Sequence, residues 1–236
     1  MCIRDRYDSN GRSTSIKNNE TLFKRRNASY KRILSTERFR MTLHVTKLNN
    51  AINVGDRIPM TQEHGNIGRY IEYAIKRKGY ALNRGKGIDL KGLHLEIKTR
   101  LADSTSGHTV GAMLPTDIVE TEWENSNIHD KVQKQYRVEY KDDSPVGEWN
   151  TCSIVTEAKV YDFTHPFIQE KLKKDYNFCR AQIVDNGFEP QYISGDWAYL
   201  EMQPNGYYQF RITPAAMKKM KTYSKQGKQN NLFFEE

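Results

Sequence analysis

Cysteine is scarce. Cys2, Cys152 and Cys179 are the only three in 236 residues, too few and too scattered for a disulfide framework or a zinc cage. The expectation is a cytoplasmic protein with reduced thiols, in a bacterial cell or a phage-infected host. No apolar run approaches the length that spans a bilayer, so no membrane partner is expected. The six histidines include no H-E-x-x-H pair, and neither a P-loop nor G-x-S-x-G occurs. Zinc-protease, nucleotide-hydrolysing and serine-esterase chemistry therefore lack their usual scaffolds, and no nucleotide cofactor is expected. Internal repeats are absent. Acidic charge is the scarcer sign: 29 Asp and Glu against 37 Lys and Arg leave a formal +8. That balance favours an anionic partner, nucleic acid ahead of an anionic lipid surface.

What is present is uneven along the chain. Met1-Cys2-Ile3-Arg4-Asp5-Arg6 back-translates as ATG TGT ATA AGA GAC AG plus one base. That string matches the transposon end used to prepare sequencing libraries, so residues 1–6 are expected to be foreign, as in a translation of assembled environmental DNA. Residues 7–40 carry nine Lys or Arg and three acidic residues with few apolar anchors, the pattern of a basic flexible arm. A single domain is expected over residues 41–222, with a polar tail at 223–236.

Within that domain, Ile67, Ile71, Ala74 and Ile75 recur at helical spacing from Gly65 to Lys78, and Gly79 follows as a stop. Residues 88–99 read as two short strands around Lys91-Gly92, and His108–Leu114 as another. Ser126 suits the N-cap of a helix reaching about Gln135, with a strand at 136–140. Strand-like residues run from Thr151 to Phe163. A long helix is expected from Pro166 to about Val184, with Ile168, Leu172, Tyr176, Cys179 and Ile183 on one face. Residues 197–212 read as an aromatic-rich hairpin around Pro204-Asn205-Gly206, before a short helix near 214–221. Trp123, Trp149 and Trp197 are expected in packing rather than stacked on bases.

The chemistry is concentrated between Gly65 and Thr99. In the second strand, Leu93, Leu95 and Ile97 alternate with His94, Glu96 and Lys98, so a carboxylate and an ammonium share the face opposite the core. A tight turn at Lys91-Gly92 brings Asp89 beside Glu96. Two adjacent carboxylates repel unless a cation lies between them. Magnesium suits that position, taking oxygen ligands and keeping several waters, with the Ile97 carbonyl as a further ligand and manganese as a substitute. Such a site suits phosphodiester hydrolysis, with Lys98 steadying the attacking hydroxide or the developing charge. Glu72, one turn after Gly68 on the helix, is placed to support the metal directly or through water. Arg100 is a phosphate-contact candidate, with a solvent-facing arginine as the equal alternative.

Taken together, Gly65-Asn-Ile-Gly68-Arg-Tyr-Ile-Glu72 and Asp89-Leu-Lys-Gly-Leu-His-Leu-Glu96-Ile-Lys98-Thr99 resemble the PD-(D/E)xK nuclease superfamily, and within it the MutH type, the strand-nicking endonuclease of mismatch repair and its restriction-enzyme relatives. The likeness is specific over 65–99 and loose beyond 140. It implies a restriction-endonuclease-like α/β core, a central mixed sheet flanked by helices, with a C-terminal helix and hairpin extension. It also implies that Lys131, in Ser126-Asn-Ile-His-Asp-Lys131-Val-Gln-Lys134, lies close to the active site. Lys131 and Lys134 would then contact DNA, and Tyr199 would lie in the DNA-reading region. Ile88 stands where the superfamily has proline, and His94 where MutH has glycine, adding a side chain on the active-site side.

The expected function is magnesium-dependent cleavage of double-stranded DNA, restriction-type or MutH-like. The alternatives are a structure-selective repair nuclease, a non-catalytic DNA-binding module on a decayed nuclease fold, and a basic scaffold for RNA. Oligomeric state and recognition sequence are open.

Overall fold

Among the described residues the first strand is β1 (Arg57–Pro59) and the last element is a helix that reaches Asn230. The structure, a computed structural model, describes Leu48 and residues 51–59, 67–83, 87–146, 148, 151–188 and 190–230, the last six as helical backbone only. All of them belong to the compact unit Lys47–Glu236. The expected foreign start, the basic arm and Trp149 lie outside the described residues.

The described elements make a mixed α/β protein of two open four-stranded sheets and five α-helices. After β1 come α1 (Ile67–Arg77), β2 (Glu96–Leu101), β3 (His108–Met113), α2 (Pro115–Glu120), α3 (Asn127–Gln133) and β4 (Lys134–Asp142). Then follow β5 (Cys152–Asp162), α4 (Pro166–Asn186), β6 (Tyr192–Ser194), β7 (Ala198–Met202), β8 (Tyr208–Ile212) and α5 (Pro214–Asn230). The first sheet, ordered β1-β5-β4-β2, is mixed: β4 runs parallel to β2 and antiparallel to β5. The second sheet, β3-β8-β7-β6, is antiparallel throughout.

In place of one central sheet there are two, because β3 pairs with β8 rather than with β2. The hairpin is thereby half of a second sheet instead of an appendage. Sequence patterning finds strands but not their partners, which depend on contacts about a hundred residues apart.

The first sheet is amphipathic across its strands. Glu96 pairs with Gln135, Ile97 with Tyr136 and Lys98 with Arg137, and paired residues share a face. Ile97, Tyr136 and Val138 therefore make a buried apolar face. Helix α1 lies against β2 and buries Ile67, Ile71 and Ile75. Its last turn closes at Gly79, whose φ of 88° is open to glycine. The opposite face carries Glu96, Lys98, Gln135 and Arg137.

The second sheet packs on α4, whose Ile168, Leu172, Tyr176, Cys179 and Ile183 are all buried as the spacing implied. Trp123 and Trp197 belong to this core. Helix α3 contacts both β3 and β4 and so bridges the two sheets. Ser126 caps it, the hydroxyl accepting the His129 N–H at 3.1 Å.

Two expectations need correction. The first strand of the 88–99 pair shrinks to one bridge, Leu90 to Leu95, closed by a 3-10 turn at Lys91–Leu93. Helix α5 continues to Asn230, well past residue 221, so the polar tail begins as helix; Lys, Gln and Met favour helix once a buried first turn nucleates it. The edge strand β6 was not anticipated, since three residues carry too little pattern.

Candidate active site

The tight turn does the first piece of assembly. Leu90 N–H donates to the Leu95 carbonyl at 2.9 Å, and Leu93 N–H closes back on the Leu90 carbonyl at 3.0 Å. His94 occupies the left-handed region at φ 48°, ψ 46°, a conformation that glycine takes without cost and histidine does not. Its exposed side chain thus leaves from the turn instead of projecting from a strand face. On the other flank Asn83 holds the approach to Asp89: its N–H donates to the Asp89 carbonyl at 2.8 Å, and its side-chain amide to the Ile88 carbonyl at 3.3 Å.

With the turn closed, the two carboxylates are locked by each other's main chain. Asp89 N–H donates to Glu96 Oε2 at 3.2 Å, and Ile97 N–H donates to Asp89 Oδ2 at 2.8 Å. The second bond matters for the edge of the sheet. A strand residue points its N–H and C=O to the same side, so the Ile97 carbonyl lies on the open edge of β2 beside Asp89.

Glu96 is 2% exposed, and a buried carboxylate is tenable only with charged or hydrogen-bonding partners. It has two cations. Lys98 Nζ donates to Oε1 at 2.8 Å, and Lys131 Nζ reaches the same oxygen at 3.2 Å from α3. Burial lowers the Lys98 pKa first, aided by nearby Lys131, while Glu96 and Asp89 act to raise it. Glu72 lies exposed on α1, and its carboxyl is pushed above the usual range. Partial burial is the largest cause, followed by the charge of Asp89, with Arg69 opposing and Glu96 adding less. Glu72 and Asp89 line one cleft of about 540 Å³ together with Arg69, Tyr73 and Lys76.

Asp89, Glu96, Lys98 and Lys131 are therefore brought together as read from the sequence, with Glu72 within electrostatic reach. Lys134 begins β4 and pairs with Asp162 at 3.9 Å instead of joining the Glu96 cluster. Arg100 does not face solvent alone: it donates to the Ser104 and Ser106 carbonyls and pins that loop. Tyr199 is 9% exposed, with its hydroxyl accepting the Gly107 N–H at 3.1 Å.

Among the described residues, no group of three or more His, Cys, Asp or Glu side chains forms a metal cage. The oxygen set present is smaller but of the right kind. Two carboxylates and a main-chain carbonyl share one strand edge, and magnesium commonly binds one or two protein carboxylates while keeping its waters. Their chemistry fits magnesium, which Asp89, Glu96 and the Ile97 carbonyl would hold.

Two neighbours went unseen in the sequence. Arg137, paired in register with Lys98, is buried and donates to His108 Nδ1 at 2.5 Å. Gly111 on β3 leaves room for α3, since a Cβ there would meet Ile128 Cδ1 at 2.9 Å and Lys131 Cδ at 3.2 Å. A lone glycine or arginine in a strand carries no local signal of either contact.

Comparison with known proteins leaves the arrangement to speak for itself. No family model matches the chain, and no curated protein matches it significantly.

Proposed function

We propose that this chain is a magnesium-dependent DNA endonuclease with a restriction-endonuclease-like core, its chemistry carried by Asp89, Glu96 and Lys98. The observation that carries the reading is the reciprocal lock between Asp89 and Glu96 on an open sheet edge, with Lys98 on the Glu96 carboxylate. A cross-strand charge pair of no catalytic use needs no second carboxylate tied to the same main chain. The formal charge of +8 suits a polyanionic substrate.

When bound, magnesium supplies charge neutralisation at the phosphate and a water of lowered pKa. The chain's own groups do the rest. Asp89, Glu96 and the Ile97 carbonyl would hold the ion. Lys98 holds the attacking oxygen and stabilises the charge that develops on the phosphate. Lys131 offsets the Glu96 charge in the absence of substrate and turns to a phosphate oxygen once DNA is present. Glu72 would support the ion through water.

The test is fragment mapping on duplexes labelled on each strand, with magnesium, manganese or EDTA. Metal-requiring fragments of defined ends support the reading. Binding without any cut under all three conditions overturns it.

A further inference from the structure

Beyond Lys98, β2 continues into a second cavity. It measures about 370 Å³ and is lined by Lys98, Arg100, His108, Arg137 and Arg211 together with the Ser104–Gly107 loop. Its cations are unevenly compensated. Arg211 pairs with Glu201 at 2.9 Å. Arg100 uses one terminal nitrogen on two main-chain carbonyls and pairs with no carboxylate among the described residues. Arg137 is 2% exposed and has only neutral partners, Gln135 at 2.8 Å and His108. Its Nε is buried without a hydrogen-bond partner.

Two acids, Glu139 and Glu157, act on Arg137 through charge without bonding to it, and Lys221 engages both, at 2.7 and 2.6 Å. His108 adds no charge, because burial and the neighbouring arginines push its pKa down to about 2. A buried guanidinium without a counter-ion is costly, and planar forks of donors match phosphate oxygens.

We propose that this cavity is a phosphate subsite that takes a backbone phosphodiester of the bound DNA strand, beside the one that is cut. The proposal rests on the nuclease reading for its ligand's source, but not for the oxyanion chemistry. Lys98 and Arg100 are two residues apart on one strand, about 6.6 Å along it. That offset is of the order of the separation between neighbouring phosphates of one strand, so a phosphate held by Arg100 and Arg137 suits the one next to the phosphate at the Lys98 end.

The experiment uses the full chain in EDTA, so that nothing is cut. Duplex binding is followed by fluorescence anisotropy over a salt series, and thermal midpoints are recorded with and without inorganic phosphate. The variants are Arg100→Gln, Arg137→Gln and, as a charge control on α4, Lys174→Gln. The expected result in the two arginine variants is a salt slope lower by about 0.9 for each phosphate that the protein no longer neutralises. Inorganic phosphate should raise the midpoint of the wild type and of Lys174→Gln but not of the arginine variants. If Arg137→Gln does not fold, Arg100→Gln carries the test.

Slopes equal to wild type, together with a phosphate response that disappears, would make the cavity a free-oxyanion site and overturn the DNA assignment. Unchanged slopes and no phosphate response in any protein would overturn the site itself. A wild type that binds phosphate through these arginines yet binds no duplex would sink the nuclease reading and leave the oxyanion site standing.

Discussion

Gly111 and Lys131 touch so closely that the lysine's course to Glu96 depends on the glycine having no side chain. A Cβ at Gly111 would stand 3.2 Å from Lys131 Cδ and 2.9 Å from the buried Ile128 Cδ1. Gly111→Ala is expected to cost about 1–3 kcal/mol by overpacking and to slow cleavage by displacing Lys131. The check is a double-mutant cycle with Lys131→Ala. The rate effect of Gly111→Ala should shrink once Lys131 is gone, and full additivity would refute the link.

The metal reading predicts a linkage between ion and fold. Magnesium at ten times its Kd should stabilise the protein by about 1.4 kcal/mol, read as a rise in thermal midpoint over EDTA. Asp89→Asn should abolish that rise, because it removes one of the two carboxylates that share the strand edge. A rise of equal size in Asp89→Asn would place the ion elsewhere.

His108 sets a pH dependence of known sign. Its folded pKa of about 2 lies below the ordinary 6.5, through burial first and then Arg137 and Arg100. The unfolded chain therefore binds a proton that the folded chain refuses. Stability is fully present above pH 6.5 and is lost as pH falls below it. His108→Gln should flatten the decline in thermal midpoint between pH 6.5 and 5. Parallel curves for variant and wild type would show that this histidine does not contribute.

Asp175 anchors the second sheet from α4. Its carboxylate is 3% exposed and accepts the main-chain N–H groups of Asp196, Trp197 and Ala198 at 3.2, 2.6 and 2.8 Å. Asp175→Ala leaves buried donors without an acceptor and is expected to cost roughly 2–4 kcal/mol, measured by urea unfolding. A loss below the error of that measurement would mean that water replaces the carboxylate.

These residues also mark how far the sequence could be read. Asp89, Glu96 and Lys98 were legible because strand alternation and a seven-residue separation are local, and the turn that joins them lies between. Ser126 and the apolar stripes of α1 and α4 were legible for the same reason. Lys131 was placed only by resemblance; its ammonium lies 3.2 Å from Glu96. Arg137 against His108 and β3 against β8 were not legible, because strand register over 29 residues and more is fixed by tertiary packing. Asp175 read as one more polar position on a helix, since nothing near it in the chain announces three main-chain donors waiting some twenty residues on.

The most direct measurement is the time course of supercoiled plasmid conversion by the full chain, beside Lys98→Ala and Asp89→Ala. All three proteins are first shown to bind duplex in EDTA. The account predicts nicked or linear product with magnesium, none with EDTA, and a loss of about 100-fold or more in either variant. Cutting that persists in EDTA or survives both substitutions would contradict it, as would intact plasmid with magnesium and with manganese.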